Sequence, residues 1–179
     1  MPAKPSNIPS PWKEFLREID ETLKETLELY CIGGFVFAYF YGLPRSTSDL
    51  DYSTAAPSNV NLDELAGEGS PLHKKYKVHL HRVAVMTMPE GYEVRSSEMF
   101  PGNFRHLKLY VPDPYDSLLS KLERNDSKDR DDANYLFRSK KLNVDILRNR
   151  YRERQRPYLL SREQWHDSTL EMWIEIFTI

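Results

Sequence analysis

Apolar residues recur at Trp12, Phe15, Leu16, Ile19, Leu23 and Leu27, with Lys, Arg and Glu between them. Spacing of three and four predicts an amphipathic helix laid on a sheet. Ser10-Pro11 reads as its start, Ser as cap and Pro in the first turn. Tyr30–Ile32 then reads as a short apolar strand and Phe35–Tyr41 as an aromatic helix stopped by Gly42 and Pro44. Alternation predicts a second strand over Asp49–Thr54, closed by Pro57-Ser58. Asn61 caps a short helix through Ala66, and a further turn or two reaches Tyr76. Val78–Val85 alternates and is rich in β-branched residues, a third strand. Leu107, Leu109 and Val111 mark a fourth, after a turn at Pro101-Gly102-Asn103.

Beyond this point the period is helical. Asp113-Pro114 opens one helix, with Leu118, Leu119 and Leu122 as its core side and Lys121 near its end. Ser127 is expected to cap the next, with Asp129, Asp131 and Asp132 in its first turn. Asn143 is expected to cap a third through about Arg154, and Ser161 with Gln164 forms a capping box for the last. The pattern is that of an α/β (α+β) chain, a mixed sheet flanked by helices. Residues 11–112 are expected as the core and 113–179 as a helical part packed on it.

Composition narrows the picture. The chain has 179 residues, 40% of them hydrophobic, with 3 Trp, 11 Tyr and 8 Phe, enough for a core. Its net charge of −2 sets up no global field toward nucleic acid or membrane. A single cysteine, Cys31, excludes an internal disulfide and suits a reducing cytoplasm. No apolar run spans a bilayer, and no signal-peptide core is evident. The first ten residues read as a loose tail.

Two features point to chemistry. Asp49 and Asp51 flank Leu50 on a strand, so both carboxylates share one face. Burying them unpaired would cost roughly several kcal/mol, which calls for a cation, and a divalent metal is the usual solution. Upstream, Gly33-Gly34 at a helix start offers backbone N–H groups to a phosphate. Arg45 has two readings, a phosphate clamp and a surface salt bridge. Asp129 reads as a dipole partner, and Asp132 as a partner for Lys121 or Lys128. Arg148, Arg150, Arg152, Arg154 and Arg156 spread around a helix and read as a solvated face rather than a grip on RNA.

The pairing of Gly33-Gly34 with Asp49-Leu50-Asp51 resembles the signature of the nucleotidyltransferase superfamily, the DNA polymerase β type. Four further stretches carry the likeness: 43–51, Met88-Pro89-Glu90-Gly91-Tyr92, 120–125 and Lys128-Asp129-Arg130-Asp131-Asp132. They resemble a prokaryotic nucleotidyltransferase-like family of unassigned function, related to the nucleotidyltransferases of abortive-infection and toxin–antitoxin systems. The resemblance implies a nucleotidyltransferase-type mixed sheet, with Asp49 and Asp51 as ligands of Mg²⁺ or Mn²⁺. It implies Gly33, Gly34 and Ser48 near the nucleotide, and Lys121 with Lys128 facing the triphosphate. Such enzymes pass a nucleotide from NTP to an RNA, protein or small-molecule acceptor.

One departure stands out. The strand that should supply a third carboxylate carries His79 and His81, and His81 falls where the acid is expected. Neutral imidazole is a poor magnesium ligand but a competent base. Two readings follow: His81 serves as base or ligand, or the protein is a binding module that acts as antitoxin, regulator or partner subunit.

Overall fold

The structure, a computed structural model, describes residues 7–179. Residues 1–6 of the expected loose tail lie outside the described residues; residues 7–10 are not loose, since Ile8 is buried and the Pro9 carbonyl accepts the Lys13 N–H at 3.1 Å. Two compact units emerge: residues 7–84 with Ser96–Val111, and Val85–Arg95 with Pro112–Ile179.

The first unit carries the sheet, in the order β3-β2-β1-β5-β4. Its central strand β1 (Leu27–Ile32) runs antiparallel to β2 (Asp49–Ala56) and parallel to β5 (Leu107–Val111). The edge strands are β3 (His79–Arg82), parallel to β2, and β4 (Ser97–Met99), antiparallel to β5. Mixed pairing follows from the connections. Helix α2 (Gly33–Tyr39) and a return loop reverse the chain into β2, whereas α3 (Leu62–Ala66) and α4 (Pro71–Tyr76) cross over into β3. Helix α1 (Trp12–Thr22) buries Trp12, Phe15, Leu16 and Ile19 of its expected apolar stripe, but it ends before the other two: Leu23 is its extended C-cap, and Leu27 opens β1 instead. Trp12 meets Phe35 of α2 edge to face, with ring centroids 4.7 Å apart.

A polar clasp joins α1 to the sheet. The Asp20 carboxylate accepts backbone N–H bonds from Arg105 at 3.0 Å, His106 at 2.6 Å and Leu107 at 2.7 Å. Burial opposes its charge, but these three donors outweigh that and hold the carboxyl below its ordinary value.

The second unit is helical: α5 (Pro114–Leu119), α6 (Ser127–Ser139), α7 (Val144–Arg154), a 3₁₀ turn and α8 (Glu163–Thr178). Asp113 and Asn143 cap α5 and α7 as expected. Three other expected caps do not form. Pro11, not Ser10, stands before α1, and the Ser10 hydroxyl donates to the Glu14 side chain at 2.8 Å. Asp126, not Ser127, caps α6, its carboxylate accepting from the Asp129 N–H at 2.7 Å. Left-handed Arg162 (φ 66°), rather than Ser161, precedes α8.

Strand limits shift as well. The third strand shortens to His79–Arg82: Val83 still donates to the Tyr52 carbonyl, then the chain leaves the sheet and Val85 is 88% exposed. β4 was hidden, since its three residues include one buried side chain, Met99.

Candidate active site

Strand β2 places the two acids as its alternation requires. Leu50 is fully buried, while Asp49 and Asp51 on the opposite face are half-buried. The parallel register with β3 sets His79 beside Asp49 and His81 beside Asp51. His81 Nδ1 lies 2.7 Å from Asp51 Oδ1. An ionised carboxylate only accepts, so Nδ1 carries the proton of that bond. Asp49, Asp51 and His81 each offer one ligand atom, all within 4.8 Å of one another.

The end of β1 comes to the same place, because Ile32 pairs with Asp51. Next in the chain, Gly33 has φ +71°, a left-handed conformation that disfavours a side chain. A Cβ there would stand 2.5 Å from Asp51 Oδ2, well inside contact distance. Gly34 differs: a Cβ would meet Thr47 Oγ1 at 3.6 Å and the Arg45 guanidinium at 3.7 Å, ordinary contacts. The structure thus gathers Gly33, Gly34, Arg45, Asp49, Asp51 and His81 in one region. Ser48, exposed, accepts the His79 N–H through its carbonyl at 3.1 Å.

Lys121 and Lys128 belong to the second unit. Lys128 is exposed on the first turn of α6. Lys121 is 8% exposed, with Nζ 3.1 Å from Asp129 and 2.7 Å from Asp132. Asp132 thus pairs with Lys121, one of the two partners expected for it. Asp129 also accepts a two-pronged bond from Arg124, at 2.7 Å on each side. Burial alone would raise the Asp129 pKa, but Arg124 and Lys121 prevail and hold it below the usual carboxylate range. The arginine run is largely paired: Arg148 with Glu171, Arg150 with Asp113 and Asp116, Arg154 with Glu90, and Arg156 with Asp167.

The Asp49 and Asp51 carboxylates suit a divalent cation such as Mg²⁺ or Mn²⁺. With Nδ1 bonded to Asp51, His81 has Nε2 alone to offer, either as a further ligand, which tilts the preference toward Mn²⁺, or as a base. Sequence reasoning missed Thr47, whose hydroxyl reaches Asp49; a Thr two residues before an Asp in a loop was the available signal. Among the described residues no helix is long and apolar enough to cross a membrane.

The model of the family described as "Nucleotidyltransferase of unknown function (DUF6036)" matches residues 13–177. The chain belongs to that family. No curated protein and no solved structure matched the chain.

Proposed function

We propose that this family member transfers a nucleotidyl group from a nucleoside triphosphate to a hydroxyl acceptor, using Mg²⁺ or Mn²⁺ held by Asp49 and Asp51. The observation that carries the reading is the convergence of Asp49, Asp51 and His81 within 4.8 Å, with Gly33 packed against Asp51. A divalent cation bound there offsets triphosphate charge and makes a bound hydroxyl more acidic. Gly33, Gly34 and Ser48 line the nucleotide, and the Arg45 fork meets phosphate oxygens. The acceptor oxygen bonds to the α-phosphorus, the bond from that phosphorus to the bridging oxygen breaks, and pyrophosphate leaves.

Asp51 holds the His81 ring through Nδ1, leaving Nε2 as the atom that takes the acceptor's proton. The acceptor class is RNA, protein or small molecule. The resemblance to abortive-infection nucleotidyltransferases supports a toxin–antitoxin or phage-defence setting, with a partner protein. The single cysteine supports a reducing cytoplasm.

A specific observation favours a second reading. His81, in place of a third carboxylate, already bonds to Asp51, and a site lacking that acid suits a regulatory module that binds NTP without turnover. Incubation with each α-labelled NTP, Mg²⁺ or Mn²⁺, and total RNA or lysate separates the two. Label transfer that vanishes in Asp49→Ala and Asp51→Ala supports the enzyme. The module instead predicts that NTP raises the melting temperature unconsumed, and that His81→Asp creates activity.

A further inference from the structure

We infer that Thr47 is a positioning residue for the Asp49 carboxylate, and that Trp12 of α1 fixes Thr47 in turn. This inference rests on the reading of Asp49 as a metal ligand. The Thr47 hydroxyl has one proton and two acceptors in range, the Asp49 carboxylate at 2.6 Å and the Asp49 carbonyl at 3.2 Å. The shorter contact goes to the charged group and takes the proton, since charge-assisted bonds are the stronger ones. Asp49 is thereby held by one oxygen, Oδ1, and presents the other in a fixed direction. An unheld carboxylate at a half-buried strand end turns about its terminal torsion, which is broad and roughly two-fold.

Thr47 is itself anchored. Its carbonyl accepts the Trp12 indole N–H at 3.3 Å. Trp12 is 1% exposed and packs edge to face on Phe15 and Phe35. An aromatic core residue thus sets the height of the loop, the loop sets the hydroxyl, and the hydroxyl sets the acid. Gly34 fits the same account from the other side, since Thr47 Oγ1 is the nearest atom to a Cβ built there, at 3.6 Å.

Outer-shell partners of this kind are worth about 10–100-fold in metal affinity. The test is Mn²⁺ binding to the full chain, followed by the electron paramagnetic resonance signal of free Mn²⁺. It compares wild type, Thr47→Val, Thr47→Ser and Asp49→Asn, with melting by circular dichroism in metal-free buffer. The expected result is a 10–100-fold rise in Kd for Thr47→Val, rescue to within about threefold by Thr47→Ser, and a melting temperature that does not follow the affinity. Thr47→Ala replaces Thr47→Val should the latter not fold. An unchanged Kd in Thr47→Val beside a weakened Asp49→Asn overturns the role of Thr47 and leaves the metal site standing. No saturable Mn²⁺ binding by wild type overturns both.

Discussion

Gly33 and Asp51 are in contact without room for a methyl group: a Cβ on Gly33 would stand 2.5 Å from Asp51 Oδ2. The relationship joins the end of β1 to the acid face of β2, and it explains why glycine is needed at a residue with φ +71°. Gly33→Ala is expected to cost about 1–2 kcal/mol from the backbone alone, and to push the carboxylate aside. Gly34→Ala meets only ordinary contacts at a helical residue without a left-handed backbone, so it is expected to be stabilising by about 0.4–1 kcal/mol. Paired thermal melts and Mn²⁺ titrations check this; equal effects at the two glycines would contradict it.

Removing charge at the acid pair should separate activity from folding. Asp49→Asn keeps an oxygen for the Thr47 hydroxyl and relieves repulsion with Asp51. Nucleotidyl transfer is expected to fall by about 100-fold or more, on the scale of one lost electrostatic stabiliser, while the melting temperature holds or rises. Initial rates and melts on one preparation measure both.

The Asp20 clasp should show in acid. Its folded-state pKa lies below the unfolded value because three backbone donors bind the ionised form. Its stabilisation is therefore complete above the unfolded pKa of about 3.9, and is lost as pH falls through the lower folded value. Asp20→Ala is expected to cost about 2–4 kcal/mol at neutral pH. Denaturant titrations at a series of pH values should show the gap from wild type closing below about pH 4.

Lys121 should behave as a structural cation. Its ammonium lies between Asp129 and Asp132, so Lys121→Met removes a buried cation from two buried carboxylates, of which Asp129 keeps Arg124, and is expected to cost about 3 kcal/mol. Urea denaturation of the full chain reads this directly. A variant of unchanged stability would free Lys121 for the triphosphate role that the resemblance implies.

Much of the fold and part of the site were legible because period-two and period-3.6 patterns are local. Leu50 between Asp49 and Asp51 told which way both acids point, and the α1 stripe told which side is buried. Register between distant strands is not local. That His81 bonds to Asp51 depends on β2 pairing in parallel with β3 across two intervening helices. Ser10, Ser127 and Ser161 are not the caps: Ser10 bonds to a side chain, a neighbouring acid replaces Ser127, and a left-handed residue replaces Ser161. Asp20 and Thr47 stayed hidden for a related reason. Each acts through a hydrogen bond to a partner that the chain brings near by folding, or through a loop whose shape is set by Trp12.

The most direct measurement is label transfer from α-labelled NTP in the presence of Mn²⁺, wild type against Asp51→Asn, with pyrophosphate release followed in parallel. The account predicts transfer matched by pyrophosphate in wild type, and loss of both in the variant with the fold intact. Undiminished transfer by Asp51→Asn would contradict it.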